Sequence, residues 1–220
     1  MTEKNIEHNK QYWNDFYKNN HKLTPSQFCV SVLNELADNT CLVELGSGNG
    51  RDSFYFSSQG FVTVAMDLSK QAIESCKLQA SQRQIEHASF YLGDLTSKND
   101  VDNVIQHARK SKKECGHIAF YSRFVMHSLD DDQETAFLQI LSELILPGEK
   151  IYFEFRSKED ENLDKHFGNH YRRYIDTMQF KDKLKRAGFE LEYQVVGQGM
   201  AKYKEEDPFV ARFIARKVSH

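Results

Sequence analysis

The sequence lacks the features that would assign it to several common classes of protein. Its four cysteines, at positions 29, 41, 76 and 115, show neither the pairing of a disulfide scaffold nor the spacing of a metal site. Its net charge of -3 gives no electrostatic support to a nucleic-acid partner. No apolar run approaches the roughly 20 residues of a membrane-spanning helix. We therefore expect a soluble cytoplasmic protein that forms one α/β domain over residues 1–220.

An alternation of three glycines is the most informative stretch of the chain. It follows Cys41–Leu45, a short apolar run of the kind that forms a buried parallel strand, and a helix is expected to begin near Ser53. Gly46, Gly48 and Gly50 would permit a sharp turn and let a ligand lie against the backbone where a Cβ would clash. The pattern predicts a strand, a glycine loop and a helix around a nucleotide-type ligand, although an ordinary tight turn also uses glycines.

The residue after these glycines weakens one interpretation of the loop. In the dinucleotide-binding fingerprint the third glycine would stand at position 51, which is Arg51 in this chain. A nicotinamide-dependent dehydrogenase is therefore disfavoured.

Three consecutive predicted strands end in an acidic residue, namely Glu44, Asp67 and Asp94. Asp67 lies about 20 positions beyond the loop, where a carboxylate would hold the two hydroxyls of a ribose. Each acid alone could be a helix cap. Because the carboxyl ends of parallel strands meet at one sheet edge, the three together favour a ligand site.

These residues carry a family resemblance. The segments Glu44–Gly50, Asp67–Ser69 and Gly93–Leu95 resemble the binding motifs of class I S-adenosylmethionine-dependent methyltransferases in order and spacing. The resemblance implies S-adenosylmethionine as cofactor and S-adenosylhomocysteine as product. It places Gly46 and Gly48 beneath the methionine, Asp67 at the ribose, Leu68 on the adenine and Asp94 at the adenine amino group. We also assign to the cofactor site Glu44, Leu95 and Ser122.

The segment 1–40 is expected to be helical and to form part of a lid. Tyr12 with Phe16, and Trp13 with Tyr17, are spaced four residues apart, which predicts an amphipathic helix with an aromatic face. This face could simply pack against the sheet edge. Similar segments in the family favour closure of Tyr12 or Trp13 over the cofactor or acceptor.

The remaining pattern predicts a Rossmann-like, doubly wound sheet of seven mostly parallel strands with the last strand reversed. The expected strands are 41–45, 61–66, 88–92, 117–121, 150–155, 189–196 and 208–217. Loops 157–176 and 197–207 would then emerge at the edge that carries the glycine loop, and we expect them to serve the acceptor.

The acceptor side is rich in basic residues, which predicts an anionic acceptor. The candidates for contact with it are Arg123, His127, Arg156, His170 and Arg172. The stretches 123–127, 153–156, 170–174 and 199–212 resemble a bacterial branch of methyltransferases associated with capsule and lipopolysaccharide loci, which implies a small-molecule or glycan-linked acceptor. His127 could instead cap or pack, and the adjacent Arg172 and Arg173 could not both face one ligand from a regular element.

The expected mechanism is direct displacement at the sulfonium methyl. For an alcohol acceptor His127 would take the proton, whereas bidentate arginines would suffice for a phosphoryl oxygen. Neither a metal-ligand cluster nor the Pro-Pro-Tyr element of nucleic-acid amino-methylating enzymes is apparent. Two alternatives stay open: a methyltransferase acting on a small-molecule amine or a protein, and a non-catalytic partner in a glycan-modifying complex.

Overall fold

The sheet grows from a fully buried central strand. In the computed structural model, β1 (Thr40–Leu45) has all six side chains buried. It pairs in parallel with β2 (Val62–Asp67) on one side and with β4 (His117–Arg123) on the other. The structure describes residues 11–18, 23–111, 115–163, 165 and 171–219. A strand covered on both faces explains why the run 41–45 contains so many apolar residues.

The strand order confirms the predicted fold class. The other strands are β3 (Ala88–Leu92), β5 (Lys150–Arg156), β6 (Phe189–Gly197) and β7 (Val210–Lys217). The seven strands are ordered β3-β2-β1-β4-β5-β7-β6. β7 runs antiparallel to both β5 and β6, so β6 is parallel to β5 and only the last strand is reversed.

The helices lie between the strands close to where the sequence predicts them. Residues 11–18 are helical and are termed α1. The others are α2 (Gln27–Leu33), α3 (Arg51–Ser58), α4 (Lys70–Gln82), α5 (Lys98–Ser111), α6 (Asp131–Leu144) and α7 (Thr177–Arg186). Side-chain caps set several of the starts: Ser69 accepts from Ala72 N, and Asp130 forms a capping box with Gln133.

The chain divides into two compact units, Met1–Tyr121 and Ser122–His220. In the first unit, one core cluster joins Phe54 of α3 to Ile73 and Cys76 of α4 and to Phe90 of β3. Whether the whole chain behaves as one domain, as the sequence suggests, stays a prediction.

An aromatic cluster forms much of the core of the second unit. The rings of Phe153, Phe155, Phe180 and Phe213 lie with centroids 4.7–5.5 Å apart, and all four side chains are fully buried. Because Phe153 and Phe155 alternate on β5 with Glu154, the opposite face of this strand carries a charged side chain. β5 therefore supplies both core and site residues.

The third glycine of the loop is a packing position. Gly50 has φ +72° and caps α3, and a Cβ there would lie 2.8 Å from Cys76 Sγ and 2.9 Å from Phe90 Cε1. Gly60 also has a positive φ, of +90°, but a Cβ there would meet no atom within 4 Å.

We expect Gly50→Ala to lower the free energy of unfolding by about 2–4 kcal/mol, since overpacking adds to backbone strain. Gly60→Ala is the matched control and should cost only the strain, about 1 kcal/mol. Urea denaturation of both variants measures the difference. Equal losses would show that the crowding at Gly50 has no energetic effect.

Candidate functional site

The glycine loop is fixed to the end of β2 by its backbone. The N–H groups of Gly46 and Ser47 both donate to the carbonyl oxygen of Met66, each at 2.9 Å. Gly46 and Gly48 adopt φ values of +87° and +54°, in the left-handed region that favours glycine. The loop therefore crosses from β1 towards β2 with a defined backbone path.

Asp67 holds the loop through its side chain. One carboxylate oxygen accepts from Gly48 N at 2.7 Å, and the other accepts from Ser69 N at 2.8 Å. Burial raises the pKa of Asp67 above its ordinary value, and these backbone hydrogen bonds partly oppose the rise. Each oxygen keeps a further lone pair, so the carboxylate could still accept two ligand hydroxyls.

Glu44 lies behind the loop and is almost completely buried, at 3% exposure. Ser53 Oγ of α3 donates to its carboxylate. Burial first, and then the negative charge of Asp52, raise the pKa of Glu44 well above its ordinary value. The third acid, Asp94, follows β3 and accepts from Thr96 N and Oγ, each at 2.8 Å. Asp94 thus stabilises the turn that precedes α5 (Lys98–Ser111).

The remaining residues assigned to the cofactor differ in burial. Leu95 is buried, Leu68 is partly buried at the start of the turn into α4, and Ser122 is buried in β4 at 1% exposure. Ser122 belongs to the second unit, whereas the glycine loop and the three acids belong to the first. Their roles towards a cofactor stay predictions.

The aromatic helix α1 contacts the glycine loop through Tyr17. A Cβ on Gly48 would overlap the phenol, at 2.7 Å from Tyr17 Cζ. Asn14 also accepts from Ser69 Oγ at 2.8 Å, which ties α1 to the residues after β2. Tyr17 stacks on Trp13 with ring centroids 6.0 Å apart.

Tyr17 is the residue of the aromatic segment that contacts the glycine loop. The i,i+4 pairing of aromatic rings is confirmed, since Tyr12 and Phe16 also stack, at 6.2 Å. The sequence favoured Tyr12 or Trp13 as the closing residue, and the structure adds Tyr17 at the loop. Burial, followed by the charge of Asp67, raises the pKa of Tyr17 well above its ordinary value, so the phenol keeps its proton and can donate.

Asp52 forms a buried hydrogen-bond network that the sequence did not reveal. Its carboxylate accepts from Ser26 N at 2.7 Å, from Ser26 Oγ at 2.8 Å and from the hydroxyl of Tyr121 at 2.8 Å. Ser26 also caps α2. This network anchors the segment before α2 to the start of α3. The partners are 26 and 69 residues from Asp52 along the chain, so no local pattern indicates them.

In the second unit, two of the arginines predicted to bind the acceptor, Arg123 and Arg156, are engaged by carboxylates. Glu154 is fully buried and accepts from Arg123 Nε and Arg212 Nε, each at 2.7 Å. The guanidinium of Arg123 also lies over the ring of Phe124, 4.0 Å from its centroid. Two guanidiniums therefore share one buried carboxylate.

Arg156 is engaged at both ends of its guanidinium. Nη1 donates to Asp160 at 2.6 Å, and Nη2 donates to Glu206. Asp160 also accepts from Phe209 N at 2.9 Å and pairs with Lys165 at 3.2 Å. All of the carboxylates are buried, so Arg156 has the geometry of a structural ion pair that joins segments 157–163 and 206–209. Contact between Arg156 and an acceptor stays a prediction.

His127 is also constrained. It lies in a short 3-10 helix after β4, at 3% exposure, and its Nδ1 accepts from Arg156 N at 3.3 Å. In the tautomer that fits this bond, Nε2 already carries the proton, which favours a positioning role over that of a base. His127 as base stays a prediction. Phe124 beside it has φ +58°, unusual for an aromatic residue at a strand end.

The two adjacent arginines of the 157–176 loop differ. Arg173 pairs with Asp131 and Glu134 of α6, in agreement with the expectation that one of the two supports the scaffold. Arg172 is partly buried. His170 lies outside the described residues, so its role stays a prediction.

Two absences concern only the described part of the chain. None of its helices has both the length and the apolar character of a membrane span. Its histidines, cysteines and acids form no group of three that could hold a metal ion.

Comparison with known proteins identifies the fold. The family model described as "Tellurite resistance protein TehB" matches residues 9–107, which include α1, the glycine loop and β1 to β3. No curated protein matches the chain.

Solved structures extend the likeness to nearly the whole chain. A SAM-dependent methyltransferase from Anabaena variabilis is 18% identical, with a TM-score of 0.71 over 97% of this chain and 95% of its own. The glycopeptide N-methyltransferase MtfA, solved with S-adenosylmethionine, is 14% identical, with a TM-score of 0.65 over 88% and 95%. The [4+2]-cyclase SpnF is 12% identical, with a TM-score of 0.64 over 88% and 81%. The chain therefore has the fold of class I S-adenosylmethionine-dependent methyltransferases.

The buried Glu44 predicts a pH-dependent stability. Its native pKa lies above the ordinary value of 4.5, so between these two values the unfolded chain binds fewer protons and stability falls as pH rises. Glu44→Gln removes this loss. Its advantage over wild type in the free energy of unfolding should therefore grow as the pH rises above about 4.5, and each kcal/mol of this advantage raises the melting temperature by about 2–4 °C. Thermal melting across pH measures it. The exposed Glu74→Gln is the control, and an offset for Glu44→Gln that does not vary with pH would contradict the explanation.

A further prediction concerns Arg156. Because Arg156→Met removes the guanidinium that pairs with the buried Asp160 and Glu206, we expect the free energy of unfolding to fall by about 3–5 kcal/mol. Urea denaturation measures the loss, and Arg186→Met on the exposed face of α7 is the matched control. Glu206→Gln in the Arg156→Met background should recover part of the loss. A loss below about 1 kcal/mol would contradict the structural role.

Proposed function

We propose that this chain is an S-adenosylmethionine-dependent methyltransferase that releases S-adenosylhomocysteine as product. The observation that carries the proposal is the carboxylate of Asp67, which two backbone N–H groups hold beside the glycine loop. A fixed acceptor next to a loop that permits close approach is what an adenosine ribose requires. MtfA, which shares the fold, has been solved with both the cofactor and its product.

The residues of the first unit fit this cofactor. Gly48 leaves room for a ligand group where a Cβ would not, once Tyr17 moves or tilts. Ser47 is 7% exposed, and its Oγ has no hydrogen-bond partner among the described residues. An orphaned hydroxyl in a buried loop is costly unless a ligand or water satisfies it. Asp94 bonds Thr96 through Oδ1 only, so its second carboxylate oxygen could accept from a ligand.

S-adenosylmethionine would supply an activated methyl group, and the chain would supply alignment. Asp67 would orient the ribose, and the glycine loop would hold the amino-acid part. The aromatic face of α1 would exclude water from the cofactor, with Tyr17 donating a hydrogen bond from its phenol. Displacement in line with the methyl needs little beyond this positioning and, for a neutral acceptor, removal of a proton.

For the acceptor we propose an oxygen of a sugar or a phosphoryl group in surface-polysaccharide biosynthesis. The support is the resemblance of stretches such as 123–127 and 199–212 to the methyltransferases associated with capsule and lipopolysaccharide loci. Arg123 and Arg212, which share the buried Glu154, lie in these two stretches. Arg156 gives no further support, because two carboxylates balance its charge.

We expect the purified chain to bind S-adenosylhomocysteine, and Asp67→Asn to weaken binding at least about tenfold, since a charge-assisted hydrogen bond to the ribose is lost. Calorimetric titration measures both. The 2′,3′-dideoxy analogue is the control ligand: it should bind wild type weakly and lose little more in the variant. Equal losses with both ligands would assign Asp67 to the loop alone.

Turnover tests the activity itself. Release of S-adenosylhomocysteine should appear with one member of a panel of sugar nucleotides, sugar phosphates and the matching unphosphorylated sugars. Amines, and tellurite because of the description of the matching family model, test other acceptors. Turnover of an amine alone would replace the oxygen acceptor, and binding of the cofactor without turnover of any compound would favour a non-catalytic partner.

A further inference from the structure

Arg51 is a charged residue at the glycine loop for which the proposed function has so far given no role. It is the first residue of α3 and directly follows Gly50, the last glycine of the loop. Its side chain is 26% exposed, whereas that of the adjacent Asp52 is 4% exposed. The guanidinium is thus neither part of the core nor fully in solvent.

The neighbouring acid does not hold this guanidinium in a hydrogen bond. Arg51 Nε lies 3.8 Å from Asp52 Oδ1, which is beyond hydrogen-bond distance. Asp52 instead accepts three closer donors, two from Ser26 and one from Tyr121. The side chain of Arg51 forms no hydrogen bond with any of the described residues. Its donors are therefore available to a ligand.

The charge of Arg51 reaches the groups that line the loop. It opposes the rise in the pKa of Tyr17 and of Glu44. Tyr17 also packs against Gly48. Arg51 stands three residues after Gly48, the glycine that the phenol covers.

We propose that Arg51 binds the α-carboxylate of the amino-acid part of S-adenosylmethionine. A guanidinium presents paired N–H groups that match a carboxylate. The first turn of the eight-residue helix α3 adds backbone N–H groups and the positive end of its dipole. The buried Ser47 Oγ, without a partner among the described residues, is a further donor in the same loop. This inference rests on the proposed function and deepens it.

The test compares S-adenosylmethionine with decarboxylated S-adenosylmethionine, which differs from it only by the carboxylate. Calorimetry gives the dissociation constant of each for wild type, Arg51→Met and Arg51→Lys. We expect Arg51→Met to weaken binding of S-adenosylmethionine about tenfold or more and to leave the decarboxylated ligand within about twofold. The dissociation constant of Arg51→Lys for S-adenosylmethionine should lie between those of wild type and Arg51→Met, because lysine keeps the positive charge but lacks the paired N–H groups of arginine. The exposed Arg186→Met is the matched control and should bind both ligands as wild type does.

The outcomes separate this inference from the proposed function. If Arg51→Met weakens both ligands equally, or neither, while wild type binds S-adenosylmethionine, Arg51 does not recognise the carboxylate and the inference alone fails. If wild type binds neither ligand, the proposed function fails and this inference fails with it. Thermal melting of each variant establishes that it is folded. Should Arg51→Met not fold, Arg51→Lys decides by the same ratio of the two dissociation constants.

Discussion

The hydrogen bond from Gly48 N–H to the carboxylate of Asp67 is the interaction on which the candidate site depends. It joins the loop after β1 to the last residue of β2, and the same carboxylate also receives Ser69 N, which starts the turn into α4. One partly buried carboxylate thereby holds three successive elements together. Gly48 can make this bond only because its φ is +54°, a conformation that most side chains disfavour. Backbone geometry and electrostatics are therefore coupled at this residue.

Three acidic residues stand in or next to the glycine loop. Glu44, Asp52 and Asp67 lie within the reach of one another's charge, and each has a different means of tolerating burial. Asp52 receives three hydrogen bonds, Asp67 receives two from the backbone, and Glu44 is displaced towards its neutral form. A ligand that carries positive charge would relieve this repulsion. A sulfonium and an ammonium group are charges of that sign.

The sequence predicted the parts of the molecule that depend on local pattern. Strand β1, the glycine loop and the helix after the loop follow from an apolar run and alternating glycines. The ion pairs could not be predicted, because their partners lie far apart: Arg156 and Glu206 are 50 residues apart. A list of basic residues near strand ends shows positive charge but not the carboxylates that neutralise it. That is why the sequence did not reveal that Arg123 and Arg156 are paired with carboxylates.

The two kinds of site differ in how far the fold determines them. The cofactor residues stand at strand ends and in the loop, where the doubly wound topology itself brings chemistry together. In the second unit, by contrast, the groups of Arg123, Arg156 and Arg173 are each built around a buried carboxylate, so charge there serves first to fix loops and helices. Only the excess over that structural requirement is available for an acceptor.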